Sequence, residues 1–278
     1  MGDFVYSVGG DGWLSQWPKQ GLDTDGILVL ASETKFFCLS PTGTDRLLVA
    51  GGIDGYLYWI DVENKSLIEF TKAHSNSVFN ILQASDTELI SVGGDGRLVV
   101  WNVATHKPTF SLTLSTQGLR CISVDKAANK VYVGASDNAI YVLSLDGYEL
   151  IQKIDNAHLN SVFCLLRLPN GDLLSGGRDA QMILRDGNTL ESKTALPAHW
   201  FTINDIILLG DTGLIASASR DKTIRIWDAT DLTLLTTIDR SKDGHVNSVN
   251  RLLWNDRDQS LFSVSDDRTM KSWKITLE

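Results

Sequence analysis

The sequence predicts an all-β fold built from seven copies of one strand unit, and three observations predict it. A hairpin phrase recurs: "FVYSVGGDGWLSQWPK" at 4–19, "LISVGGDGRLVVWNV" at 89–103 and "LIASASRDKTIRIWDA" at 214–229. The copies keep phase. The aspartate of each turn falls at Asp11, Asp54, Asp95, Asp137, Asp179, Asp221 and Asp267, with spacings of 43, 41, 42, 42, 42 and 46. Helix-period patterning is absent, which argues against strands alternating with helices.

The elements of one copy follow in order. In the third copy the apolar runs are "SVFNILQ" (77–83), "ELISVGG" (88–94), "RLVVWNV" (97–103) and "TFSLTL" (109–114). Turn formers separate them, among them Asp86, Gly96 and Pro108. Four short strands per period of about 42 residues match one blade of a β-propeller. The expected architecture is seven four-stranded antiparallel blades in one domain, residues 1–278.

Fixed positions surround each turn. Six residues after the aspartate stand Trp17, Ile60, Trp101, Leu143, Arg185, Trp227 and Trp273. Four residues before it stand Ser7, Ala50, Ser91, Val133, Ser175, Ser217 and Ser263. Twenty-one or twenty-two residues before four of them stand His74, His158, His199 and His245. The order Ala-His or Gly-His, strand, Ser-x-x-x-Asp, strand, Trp-Asp resembles the WD-repeat β-propeller family. "SASRDKTIRIWD" (217–228) is close to the family pattern, and Trp227-Asp228 is a literal WD dipeptide.

The resemblance implies a hydrogen-bond chain within a blade, from turn Asp to His ring to Ser hydroxyl to indole N–H. Three copies carry the full set: His74/Ser91/Asp95/Trp101, His199/Ser217/Asp221/Trp227 and His245/Ser263/Asp267/Trp273. The second and fourth copies, with Ala50/Ile60 and Val133/Leu143, are expected to replace the chain by apolar packing. The fifth is atypical: His158, Ser175 and Asp179 meet Arg185 where Trp belongs. Either its guanidinium takes over the indole's role or reaches the blade rim, or it points to solvent. In-phase histidines spread over separate blades do not converge as metal ligands.

Composition limits the function classes. The formal charge is −9, without the basic footprint of a general nucleic-acid binder. No apolar run is long enough to span a bilayer, and the N-terminus lacks the basic region of a secretory signal. Tyr6 stands where a myristoylation pattern wants Ser or Thr. Cys38, Cys121 and Cys164 follow no disulfide or metal spacing, so a cytoplasmic setting is expected. The sequon Asn64-Lys65-Ser66 carries no meaning there. "GGDG" at 9–12 and 93–96 is a hairpin turn, since no Lys-Ser or Lys-Thr follows. No cofactor and no catalytic constellation are expected.

The strand count does not close. The first blade lacks its inner strand and the last its outer strand, a gap of roughly 20 residues by the repeat phase, so either the chain is shortened before Met1 or the propeller closes with a depleted seam. Exposed edges at that seam would make the chain a monomer with a liability, or an oligomer joined there. The resemblance implies a scaffold whose loop-bearing face binds a protein or peptide. On that face Arg178, Arg220, Trp200, Phe201 and Asp266 depart from the other copies, an arginine and aromatic composition suited to a binding hot spot. The alternatives are a structural subunit docking through the seam and, further off, a channel-mouth hydrolase or small-ligand binder.

Overall fold

The computed structural model describes residues 3–19 and 26–275. They form seven antiparallel sheets, and the only helical element among them is a 3-10 turn at Arg240–Lys242. Sheet 1 has three strands, Phe4–Val8, Trp13–Pro18 and Ile27–Ala31, and so lacks an inner strand. Sheet 7 also has three, Val249–Asn255, Ser260–Ser265 and Met270–Lys274, and lacks an outer one. The five between are four-stranded, paired in chain order. The alternating pattern of the sequence thus becomes a simple meander in which strands consecutive in the chain pair as neighbours.

The chain divides into two compact units. One, residues 1–124 with 135–137, contains sheets 1–3. Its apolar residues lie in layers between successive sheets. Phe36, Leu48, Ile60 and Leu14 fill one layer, and Trp59, Trp101, Leu57, Leu89 and Val78 another. The second unit, residues 125–134 with 138–278, contains sheets 5–7. Here Leu174, Met182, Ile203, Ile206 and Trp227 pack between sheets 5 and 6, and Leu214, Ile224, Val249 and Leu261 between sheets 6 and 7. Both faces of the middle strands are buried, which is why runs such as "LVVW" are continuously apolar.

Two irregularities recur. In sheets 2, 3, 5, 6 and 7 the inner strand bulges at its second residue: Phe37, Phe79, Phe163, Asn204 or Asn250. Another shift sits beside the Trp position in the five four-stranded sheets, as between Val100 and Trp101 or Ile226 and Trp227. A bulge adds local twist and re-aims a side chain. The second one accompanies the inward-turned indole of the polar chain described next. The three cysteines are buried free thiols on inner strands.

Candidate protein-interaction surface

Each hairpin tip is tied to the loop that enters its sheet. In sheet 3, His74 Nδ1–H donates to Asp95 at 2.9 Å, the Ser91 hydroxyl to His74 Nε2 at 2.9 Å, and Trp101 Nε1–H to Ser91 at 2.9 Å. Burial holds the imidazole neutral, and with an indole that only donates and a carboxylate that only accepts the chain then runs one way. Sheet 6 repeats it: His199 to Asp221 at 2.9 Å, Ser217 to His199 at 2.7 Å and Trp227 to Ser217 at 2.8 Å. In sheet 7, His245 bonds Asp267 at 2.8 Å and Ser263 at 2.7 Å. Trp273 stands apart. Among the described residues its indole has no bond to Ser263, and it meets the His245 ring edge-on at 5.9 Å. Its strand is the edge of a three-stranded sheet, so the indole is half-exposed and water can serve its N–H.

Burial lowers the imidazoles of His74, His199 and His245 below the usual histidine range. The carboxyl of Asp267 is raised by burial, but bonds from Thr269, the Val246 N–H and His245 outweigh this and bring it down to about 2. Sequence reasoning missed Thr269 and its counterpart Thr223. Each hydroxyl donates to the turn aspartate two residues earlier, at 2.6 Å.

Sheet 5 resolves the atypical set. His158 bonds Asp179 at 3.1 Å and Ser175 at 2.8 Å, as in the other chains. Arg185 is only 7% exposed, so it does not point to solvent. Nor does it reach Ser175. Its Nη2–H donates to the Ala157 carbonyl at 2.6 Å, and Ser175 turns to the Ile183 carbonyl at 3.3 Å. In sheet 6 Arg225 makes the equivalent bond, to the carbonyl of Ala198 before His199, at 2.7 Å. In sheet 7 Lys271 reaches Gly244, before His245, at 3.1 Å. Sheet 5 therefore has the same cation moved two residues along its strand, on the same face.

Copies without the histidine are not purely apolar. In sheet 2, Thr34 and Tyr58 hydroxyls donate to Asp54 at 2.9 and 2.6 Å. In the fourth copy Ser115 donates to Asp137 at 2.8 Å. In sheet 1, Trp17 donates to Ser7 at 2.8 Å. A turn carboxylate needs donors whether or not histidine is present. The readable signal was a hydroxyl residue at the histidine's phase, Thr34 or Ser115. His106, the histidine out of phase, stacks on Trp59 with centroids 4.1 Å apart and bonds Glu69.

The turn aspartates also set the outer surface. The residue after each histidine gives its backbone N–H to the carboxylate: Ser75 to Asp95, Leu159 to Asp179, Trp200 to Asp221 and Val246 to Asp267, at 2.8–3.0 Å. Clamped by the backbone, its side chain projects outward. In sheets 5–7 that side chain is apolar: Leu159 is 86% exposed, Trp200 81% and Val246 55%. In three copies the next residue is an asparagine, whose Oδ1 accepts from the following N–H, as Asn76 does from Ser77 at 2.7 Å. In sheet 6 it is Phe201, 60% exposed. There Ser219 donates to the Phe201 carbonyl at 3.2 Å instead.

These loops belong to one surface of the second unit. Its inner strands touch in sequence: Cys164 approaches the Ile203 carbonyl at 3.8 Å, and Asn204 donates to Val249 at 2.8 Å. Arg178 and Arg220, one residue before their turn aspartates, are exposed. Among the described residues neither side chain has a hydrogen bond or ion pair. Asp266, at the same place in sheet 7, accepts from Asn250 at 2.6 Å and is thereby occupied.

With this geometry in hand, comparison with known proteins is informative. The family model "WD domain, G-beta repeat" matches residues 65–102, 190–228 and 233–274. Those stretches end on the third strands of sheets 3, 6 and 7, the copies whose sequence carries the full His, Ser, Asp and Trp set. A WD repeat-containing protein of Schizosaccharomyces pombe is 26% identical over 249 residues, covering 85% of this chain and 64% of that protein. Nuclear distribution protein nudF of Emericella nidulans is 26% identical, covering 74% of this chain and 40% of its own length. The guanine nucleotide-binding protein subunit beta of Arabidopsis thaliana is 24% identical, over 73% of this chain and 57% of that one. The chain thus spans less than two thirds of each of these relatives. The WD40 β-propeller domain of Doa1 superposes with a TM-score of 0.85 at 20% identity, over 98% of this chain and 89% of that domain. Three repeats of the chain thus match the WD-repeat model, and its fold is that of a WD40 β-propeller domain.

Proposed function

We propose that this chain is a non-enzymatic interaction platform that holds a partner protein or peptide on the loop face of sheets 5–7. One observation carries the reading: Trp200, 81% exposed, is held outward by a backbone bond to a carboxylate that is itself locked by His199 and Thr223. A large aromatic presented on a rigid base costs little entropy to immobilise, the property of a binding hot spot. Leu159, Val246 and Phe201 extend the apolar area, and Arg178 and Arg220 border it. The relatives described as a nuclear distribution protein and as a subunit of a larger assembly accord with such a role. The reduced thiols fit a cytoplasmic setting, and no helix among the described residues is long and apolar enough to cross a membrane.

Affinity purification from native extract, wild type against Trp200→Ala/Phe201→Ala, tests this. The expected result is one or more proteins captured by the wild type and lost by the variant at unchanged melting temperature. Identical partner sets would refute it.

A further inference from the structure

The hairpin tips of sheets 5–7 carry charge that the rim alone does not require. The residue after the turn aspartate is left-handed in all seven copies. It is Gly12, Gly55 and Gly96 in sheets 1–3, at φ of 80°, 82° and 75°. In the later sheets it is Asn138, Ala180, Lys222 and Arg268, at 69°, 62°, 76° and 67°. Glycine takes this conformation freely and asparagine tolerates it, but a residue with a long side chain is disfavoured there. Sheets 6 and 7 nonetheless place a cation at it.

Lys222 and Arg268 join Arg178 and Arg220. All four are exposed, and among the described residues none has a side-chain hydrogen bond or ion pair. The turn aspartates beside them are already engaged by histidine and backbone donors, and Asp266 by Asn250. Sheets 1–3 show no such charge: the residues flanking their turn aspartates are Gly10, Ile53, Gly94 and the three glycines above. A chain of net charge −9 therefore gathers four unpaired cations at three neighbouring tips, next to Leu159, Trp200 and Val246.

We propose that these tips read an acidic segment of a partner polypeptide, in which aspartate or glutamate side chains flank an apolar residue seated against Trp200. Charge complementarity selects acidic sequence and steers encounter, while the clamped apolar rim supplies burial. Nucleic acid fits less well. Of the four rim residues only Trp200 and Phe201 offer a stacking face, and the chain as a whole carries a net charge of −9 that repels phosphate. The proposal rests on the rim as a binding surface and adds the chemistry of what binds.

Panning a phage library of random dodecapeptides on the immobilised full chain, with recovered peptides resynthesised for fluorescence anisotropy, tests it. The expected peptides are enriched in Asp and Glu around Leu, Ile or Phe. Their affinity falls at least tenfold in Arg178→Glu/Arg220→Glu and with added salt. Lys222→Gly/Arg268→Gly weakens binding while melting temperature stays level or rises, which separates a binding role from a structural one. Peptides without acidic enrichment, acidic peptides indifferent to charge reversal, tighter binding of an oligothymidylate than of any peptide, or no recovery above bare beads would each overturn the proposal. If Trp200→Ala abolishes binding while the charge variants leave it intact, the rim stands and the acidic partner falls. If neither set of variants changes binding, both fall.

Discussion

Gly96 and Lys222 occupy the same place in two sheets, one residue past the turn aspartate, at φ of 75° and 76°. At Gly96 a Cβ would lie 1.9 Å from the Ser115 carbonyl oxygen, and at Gly55 2.3 Å from that of His74. In the first unit the loop leaving the sheet closes down on the turn, with Leu114 and Ser115 both donating to the Gly96 carbonyl at 3.0 and 3.3 Å. Sheet 5 of the second unit keeps this loop-to-tip bond, from Ala198 to Ala180 at 3.0 Å, yet accommodates a Cβ. One backbone solution therefore supports two surfaces: a flush glycine tip that only holds the fold, and a tip that presents a side chain to solvent.

The largest expected effect tests that contrast. Gly96→Ala should lose about 3 kcal/mol or more, since a backbone clash adds to left-handed strain. Ala180→Gly should shift stability by less than about 1 kcal/mol, in either direction. Urea unfolding of both variants measures the difference, and equal losses would erase the distinction between the tips. The next effect compares two polar chains. Ser217→Ala strands His199 and Trp227 in a buried setting, a loss of about 2–4 kcal/mol by unsatisfied-group magnitudes. Ser263→Ala strands only His245, because Trp273 is not in the chain, and about half that loss is expected. A Ser263 variant as damaged as the Ser217 one would show Trp273 engaged in solution.

The smallest effect is a pH dependence. His74, His199 and His245 titrate lower in the folded chain than in the unfolded one. Below the ordinary histidine pKa of about 6.5 the unfolded chain binds more protons, so stability falls as pH drops from 7 through 6 toward the folded values. Above 7 this contribution is fully present. Melting temperature recorded from pH 8 to 5 should fall on the acid side, and His199→Asn should flatten the slope. A flat wild-type profile would mean that folding does not lower the pKa of these rings.

Much of this was legible in the sequence because the repeat signal is redundant. Seven in-phase aspartates and alternating apolar runs specified seven sheets, their order and the two incomplete ones. The polar chains of sheets 3 and 6 followed from the resemblance to the WD-repeat family, carried over onto residues at matching offsets. Arg185 was not legible: its phase placed it opposite Ser175, but a guanidinium on a long stem reaches past that hydroxyl to a backbone carbonyl. Trp273 had the right phase and lacked the covering strand that seals an indole in place. Thr34 and Ser115 were passed over because a hydroxyl in a loop is common, and only the nearby carboxylate makes it a partner.

By itself the sequence determined what depends on period and residue type: an all-β chain, seven copies, hairpin turns closed by aspartate, and polar residues that must pair because their strands are buried. The tertiary structure decided what depends on direction and reach. It turned Leu159, Trp200 and Val246 outward, because the N–H of each is bound to the carboxylate beneath it. It left Arg178, Arg220, Lys222 and Arg268 unpaired, because the aspartates beside them are already engaged. Spacing along a strand says which residues share a face, but hydrogen bonds between distant segments decide which of them meet solvent.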